Sequence, residues 1–165
     1  MDNLARSLTA AIFIGLGATL TFDLWAQFLK LAFGIVPSNI CLVGRWVRYM
    51  PEGIIRQTNI ASSPRKGGEC AVGWIAHYMI GTTFAIAFVT LMGNNWLEHP
   101  TLIPAIVFGV VTVLAPFFIM QPSLGFGFAA SKTSNPTQAR LRSLMNHVAF
   151  GAGLYLFALF VSSLQ

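Results

Sequence analysis

The sequence predicts an all-α fold, an integral membrane bundle of four transmembrane helices with a short interfacial helix in the first cytoplasmic loop. Of the 165 residues, 55% are apolar and only 9% are charged, whereas about 25% are charged in an ordinary soluble domain. The apolar residues are also gathered into runs that are almost free of charge. A chain of this size cannot bury so much apolar surface by itself, which excludes a water-soluble enzyme, a disordered tail and a disulfide scaffold.

The apolar runs predict helices near residues 8–31, 71–92, 102–120 and 144–161, within a single transmembrane domain that covers residues 1–165. Each run is close to the ~20 residues that a helix needs to cross a hydrocarbon core about 30 Å thick. Backbone groups cannot stay unpaired in lipid, so each run is predicted to be a helix rather than a strand. The first run lacks a small-x-small cleavage site, which favours an uncleaved helix over a secretory signal.

The two longer linkers have different characters. In the first, residues 39–50 place aromatic and aliphatic side chains beside two arginines, which predicts a short helix at the membrane surface. Residues 58–68 are polar and predict a loop. At the second linker, Pro116 and Pro122 bracket the end of the third run, so we expect that helix to be kinked or broken there.

The basic residues predict the orientation in the membrane. Only Arg6 precedes the first helix, and all the other basic residues lie at the end of that helix or in the two longer linkers. By the positive-inside rule, these linkers face the cytoplasm, while both termini and the loop 93–101 face outward. Anionic lipid then accounts for the net charge of +5, and no nucleic-acid partner is expected. Cys41 and Cys70 would both face the cytoplasm, where a disulfide is not expected.

Candidate functional residues come from polar side chains within the predicted helices. Small and polar residues recur every four positions, which allows helices to approach closely and predicts that these stripes face the bundle interior. The three stripes are Gly15, Thr19, Asp23 and Gln27; Gly73, His77, Gly81 and Ala85; and Ser143, His147, Gly151 and Tyr155.

From their positions in the helices, we expect Asp23, His77 and His147 to converge roughly 8–11 Å inside the cytoplasmic boundary. Thr19 lies on the same stripe as Asp23, and Gln121 stands at the irregular end of the third helix on the same side. An ionisable group within a membrane is functional by default, although a purely structural polar cluster is the alternative.

Three chemistries suit this predicted site. It could relay protons, since histidine titrates near neutral pH. Asp23, His77 and His147 could instead be the ligands of a transition metal, or the two histidines could hold haem. The sequence requires none of these cofactors. Motifs of hydrolases, nucleotide-binding enzymes and dehydrogenases are absent from the sequence.

Four stretches carry a resemblance to a known family: Gly15–Trp25, Trp74–Tyr78, Pro116–Pro122 and Arg142–His147. With them the chain resembles a bacterial family of small inner-membrane proteins that is catalogued only as a domain of unknown function. The resemblance implies four transmembrane helices in a bacterial cytoplasmic membrane. It implies no activity, substrate or cofactor.

The function favoured by the sequence is transport of a small solute or ion, coupled to protons. An irregular helix beside intramembrane ionisable groups is typical of transporters. The alternatives are a metal- or haem-dependent membrane enzyme and a non-catalytic membrane scaffold. The expected partners are the lipid bilayer and a second copy of the chain, because a homo-oligomer would help four helices to enclose a pathway.

Overall fold

The regular elements are helical throughout the computed structural model, which describes residues 3–164. The helices are α1 (Asn3–Phe33), α2 (Ile40–Tyr49), α3 (Glu69–Met92), α4 (Asn94–Glu98), α5 (Leu102–Thr112), α6 (Gln121–Ser123) and α7 (Pro136–Ser162). Short 3-10 turns occupy Met50–Glu52 and Phe128–Ala130, and a π-helical segment occupies Pro116–Met120.

The membrane spans agree with the four apolar runs. Within the described residues, four helices are long and apolar enough to cross a membrane: Leu4–Phe33, Glu69–Met92, Leu102–Ser123 and Pro136–Ser162. Many large side chains on these helices remain exposed to the surroundings, among them Leu31, Leu91 and Ile103, each 76% exposed. Such extensive apolar surface is what lipid contact requires. The all-α prediction with four membrane-spanning helices is therefore confirmed.

Helix α7 begins well before the start predicted near Leu144, because its first turns are polar. Pro136 occupies the first turn, where proline has no useful N–H to lose. The side chain of Asn135 accepts a hydrogen bond from the N–H of Gln138 at 3.1 Å and caps the helix. Hydropathy alone detects the apolar part of this helix and misses its capped, polar beginning.

The third span keeps its helical winding through both prolines. After α5, the chain forms the π-helical segment, in which the N–H of Gln121 donates to the carbonyl oxygen of Pro116, five residues earlier. Pro116 and Pro122 have no N–H, so each removes one regular α-helical bond. The irregularity predicted from the prolines is present, as a π-bulge rather than a break in the helix.

The described chain divides into two compact units. Unit 1 contains residues 3–37, 78–112 and 145–164, and unit 2 contains Ser38–His77 and Val113–Leu144. Each unit contains one segment of α3, one segment of the third span and one segment of α7. That the chain is one transmembrane domain stays a prediction.

The helices of unit 1 pack closely at small residues. A Cβ added to Gly81 of α3 would lie 2.0 Å from Thr19 Oγ1 on α1, and one on Gly153 of α7 would lie 2.7 Å from Cα of Ala18 on α1. From Gly15 to Asp23 along α1, the contacts on α3 fall from Thr82 to Tyr78. From Gly17 to Phe22, those on α7 fall from Phe157 to His147, so α1 runs antiparallel to both helices. The prediction that glycines mediate close helix contacts is confirmed within this unit.

Unit 2 is built around α2 and a buried ion pair. Helix α2 begins after Asn39, whose side chain accepts a hydrogen bond from the N–H of Cys41. Arg45, expected on the basic outer face, is instead only 5% exposed. Its guanidinium donates two hydrogen bonds of 2.8 Å to the carboxylate of Glu69. The short helix is confirmed, whereas its location at a membrane interface stays a prediction.

The expectation that the two cysteines remain unpaired is wrong for this structure. The sulfur atoms of Cys41 and Cys70 form a disulfide, with Cα atoms 4.0 Å apart. Two glycines allow α2 to approach α3 this closely: a Cβ on Gly44 would lie 1.7 Å from the Glu69 carbonyl oxygen, and one on Gly73 would lie 2.2 Å from the Ile40 carbonyl oxygen. The expectation rested on the predicted compartment, and the spacing of the two cysteines in the sequence gave no sign of this approach.

Candidate functional site

A carboxylate and a phenol form the first element of the candidate site, in unit 1. The hydroxyl of Tyr78 on α3 donates a hydrogen bond to Asp23 Oδ2 on α1, with 3.1 Å between the two oxygens, in partly buried surroundings. The predicted functional residue Asp23 is therefore held across two membrane-spanning helices. Tyr78 immediately follows His77, and sequence reasoning missed it because it lies off the predicted small-residue stripe.

A histidine and a threonine form the second element of the site, also in unit 1. Thr112 Oγ1 on α5 lies 2.8 Å from His147 Nδ1 on α7 and 2.6 Å from the carbonyl oxygen of Gly109. A hydroxyl has one proton to donate. If that proton goes to the Gly109 carbonyl, Nδ1 carries the hydrogen of the imidazole and Nε2 is the nitrogen that accepts protons.

The ring of Phe22 connects these elements through packing. Phe22 precedes Asp23 on α1, and its ring meets the His147 ring edge-on, with 5.7 Å between centroids. This contact places the turn of α1 that contains Asp23 at the same level as the turn of α7 that contains His147. The same contact favours the predicted shared depth of Asp23 and His147, which stays a prediction, and the hydrogen bonds described above join the two residues to different side chains.

Asn146, next to His147 on α7, is a further buried polar group of unit 1. Only 5% of it is exposed, and its Oδ1 has no hydrogen-bond partner among the described residues. It lies one turn before Phe150, whose ring packs against Phe84 of α3 with centroids 6.4 Å apart. Residues four apart share a helix face, so Asn146 lies on the side of α7 that packs against α3.

Asn146 is not among the residues predicted from the sequence, because it points about 100° away from His147 around the helix. The signal that identifies it is its spacing from Phe150, which places both residues on one face of α7.

Thr19 has a structural role in the described geometry. It is 1% exposed, and its hydroxyl donates to the carbonyl oxygen of Gly15 at 2.7 Å on the same helix. Its Oγ1 also lies against Gly81 of α3, where there is no room for a larger residue. The hydroxyl of Thr19 thus contributes to packing between α1 and α3.

The remaining predicted residues, His77 and Gln121, belong to unit 2. The His77 ring lies edge-on to the ring of Trp74, one turn earlier on α3, at 5.9 Å between centroids. Gln121 is 8% exposed at the end of the π-bulge, and its Oε1 has no hydrogen-bond partner among residues 3–164. That these two residues share one site with Asp23 and His147 stays a prediction.

The predicted metal centre finds no support. Across the described part of the chain, no group of three or more His, Cys, Asp and Glu side chains is arranged to hold a metal ion. Asp23, His77 and His147 were the proposed ligands. What unit 1 does provide is a carboxylate, a phenol, an imidazole and a buried amide, all groups that exchange protons or bind small polar species.

Comparison with known proteins identifies a family but no activity. A family model described as "Protein of unknown function (DUF2938)" matches residues 12–161. Neither the curated proteins nor the solved structures give a significant match. The matched range includes all of the candidate residues and most of each span. The chain therefore belongs to the DUF2938 family of proteins of unknown function.

Proposed function

We propose that the protein transports a small solute or ion across the membrane in exchange or symport with protons. Asp23 and His147 carry the protons in this proposal. The observation that carries it is the hydrogen bond between Tyr78 and Asp23, which holds a carboxylate between two membrane-spanning helices. An acidic side chain at the centre of a membrane helix costs about 2.5–3.5 kcal/mol on insertion scales, so such residues usually mark ion or proton pathways.

The pair formed by His147 and Thr112 supports the same proposal. If the Thr112 hydroxyl donates to the Gly109 carbonyl, Nδ1 carries the hydrogen of the neutral His147 ring, and imidazole changes its charge within the pH range of living cells. The π-bulge in the third span adds support, because interrupted membrane helices recur in secondary transporters.

The proposed setting rests on the charge distribution and on the resemblance to bacterial inner-membrane proteins. We place the chain in a bacterial cytoplasmic membrane with both termini outside, because the basic residues collect in two linkers. A homodimer is part of this proposal, since a second copy would help to enclose a pathway.

The test measures proton movement in vesicles. Purified protein is reconstituted into liposomes that contain a pH-sensitive dye and a mixture of amino acids, sugars and inorganic ions, and an electrical potential drives proton uptake. We expect uptake above that of protein-free vesicles, and we expect the Asp23→Asn variant to fall to the protein-free rate because it cannot release a proton.

Glu98→Gln is the matched control, since it removes an exposed carboxylate on α4 outside the candidate site. It should transport like the parent protein. Normal proton uptake in a folded Asp23→Asn variant would favour the scaffold alternative, in which the polar cluster only holds the helices together.

A further inference from the structure

The disulfide between Cys41 and Cys70 joins the first turns of two helices in unit 2. Cys41 is the second residue of α2, and Cys70 is the second residue of α3. The N-terminus of a helix carries a partial positive charge, which stabilises an anion in the first turn. When the disulfide opens, each sulfur becomes a thiolate at such a position. Helix N-termini are typical sites of reactive cysteines, so the two helix starts favour a disulfide that can be reduced.

The two cysteines differ in how accessible they are. Cys70 is exposed, whereas Cys41 is only partly exposed. Exchange begins when a thiolate attacks one sulfur of a disulfide, and its rate depends on access to that sulfur. The loop before α3 also contains Arg65, which is exposed, and a positive charge attracts an anionic thiol. Cys70 is therefore the side from which a small thiol in solution reaches the disulfide.

An ion pair keeps α2 beside α3 when the disulfide is open. Arg45 on α2 donates two hydrogen bonds of 2.8 Å to the carboxylate of Glu69, the residue before Cys70. The pair also compensates the negative charge of Glu69, which would otherwise oppose a thiolate on Cys70. The two thiols therefore stay close together after reduction, and the reaction that joins them again is intramolecular. This arrangement allows the disulfide to open and close repeatedly.

We propose that Cys41 and Cys70 are a redox-active pair that exchanges with a small anionic thiol of the glutathione class. The thiolate of the small molecule attacks Sγ of Cys70, the bond between the two cysteine sulfurs breaks, and Cys41 leaves as a thiolate. A second small thiolate then attacks the small molecule's own sulfur in this mixed disulfide, and Cys70 leaves as a thiolate.

The exchange balances between the protein and the small thiols. The cysteine pair gains two electrons, and the two small thiols lose them and become one small disulfide. The protons that the small thiols lose on ionisation are available to the two cysteine thiolates. The reverse reaction closes the pair, with the small disulfide as the oxidant. The mixed disulfide on Cys70 is a reversible modification of the protein by glutathione.

This inference is independent of the proposed transport function. It agrees with the predicted orientation, since the basic residues predict that the linker with Cys41 faces the cytoplasm. A disulfide in a reducing compartment is usually catalytic or redox-sensing rather than structural. A structural disulfide resists reduction by glutathione, so the two roles are separated by one measurement.

The first test measures the redox equilibrium of the folded, purified protein in detergent. The protein is incubated in a series of ratios of reduced to oxidised glutathione, and its free thiols are then blocked with a maleimide that carries a polyethylene glycol chain. Each blocked thiol retards the band in electrophoresis. We expect the dithiol to dominate at one end of the series and the disulfide at the other, while the protein stays folded. A pair that remains oxidised in reduced glutathione until the protein is denatured would overturn the proposal.

The second test asks which cysteine is attacked. Cys41→Ser leaves Cys70 as the only thiol, and Cys70→Ser leaves only Cys41. The matched control is Ser62→Cys in a chain without the two native cysteines, because Ser62 is exposed in the loop before α3. Mass spectrometry follows the addition of glutathione from its disulfide to each variant.

We expect Cys70 to react at least as fast as the control thiol, and Cys41 to react about tenfold more slowly because it is less accessible. Reaction at Cys41 that is as fast as at Cys70, or faster, would overturn the assignment of Cys70 as the attacked sulfur. The equilibrium with glutathione is measured on the unaltered chain, so it tests the proposal even if a serine variant does not fold.

Discussion

Arg45 shows how far the role of one residue depends on its surroundings. In the sequence Arg45 is one of several basic residues in the first long linker, but in the structure it is buried against the first turn of α3. Besides Glu69, it donates to the carbonyl oxygens of Ile60 and Ser63, both at 3.0 Å. The hydrogen bonds to Glu69 raise the pKa of Arg45, against the opposing effect of burial. The arginine therefore ties α2, the following loop and α3 together.

We expect Glu69→Ala to lower the free energy of unfolding by about 3–5 kcal/mol, because it leaves the Arg45 charge buried without its counter-ion. Chemical unfolding of the purified protein in detergent would measure this loss. The matched control is Glu52→Ala, which removes an ion pair with Lys66 in which the glutamate side chain is 48% exposed. Exposed pairs contribute about 0–1 kcal/mol. Equal losses in the two variants would show that the Arg45 pair has no special structural weight.

At the scale of elements, glycines decide how closely the helices of unit 1 approach. Gly109 on α5 and Gly151 on α7 face each other, and a Cβ on Gly151 would lie 2.6 Å from the carbonyl oxygen of Ala105. A backbone atom cannot move aside as a flexible side chain can. This contact keeps α5 and α7 close enough for Thr112 to reach His147.

Gly151→Ala should therefore separate α5 from α7 and lower stability by about 1–3 kcal/mol, the usual cost of overpacking. The hydrogen bond between Thr112 and His147 should lengthen, which nuclear magnetic resonance of the imidazole nitrogens would detect. Gly67→Ala is the control, because a Cβ at that position meets no other atom within 4 Å. If Gly151→Ala left both stability and the imidazole signals unchanged, close packing of α5 on α7 could not be what positions His147.

At the scale of the whole molecule, the charge distribution and the disulfide lead to opposite predictions about which side of the membrane the first long linker faces. The distribution of basic residues predicts that the linker that contains Cys41 faces the cytoplasm. Disulfides persist mainly in oxidising compartments. Cys70, which forms the disulfide with Cys41, is exposed. The side on which this linker lies determines whether the pair is closed in the cell.

We expect reporter fusions within residues 62–67 to indicate the cytoplasm, and fusions within residues 94–99 and after Gln165 to indicate the outside. The thiols of Cys41 and Cys70 should then be reduced in growing cells and should close to the disulfide after an oxidant is added. Blocking the thiols in intact cells, followed by electrophoresis without reductant, would measure both states. A pair already oxidised in untreated cells, together with external fusions at residues 62–67, would invert the predicted orientation.

The sequence by itself determined the helices and their apolar character, since both depend on local properties. Residues 71–92 were predicted as a helix and lie within α3, and the prolines at 116 and 122 correctly marked irregular winding. Asp23 and His147 were found because a charged or titratable residue is conspicuous in an apolar run. Periodicity and composition are enough to detect these features.

The partners of those residues were decided only by the tertiary structure. Tyr78 and Thr112 belong to the candidate site because α3 meets α1 and α5 meets α7, through contacts between distant parts of the chain. The disulfide and the burial of Arg45 have the same origin, in the close approach of α2 to α3. Composition and periodicity report which face of a helix is apolar, but the atom opposite a given side chain is set by how the helices pack.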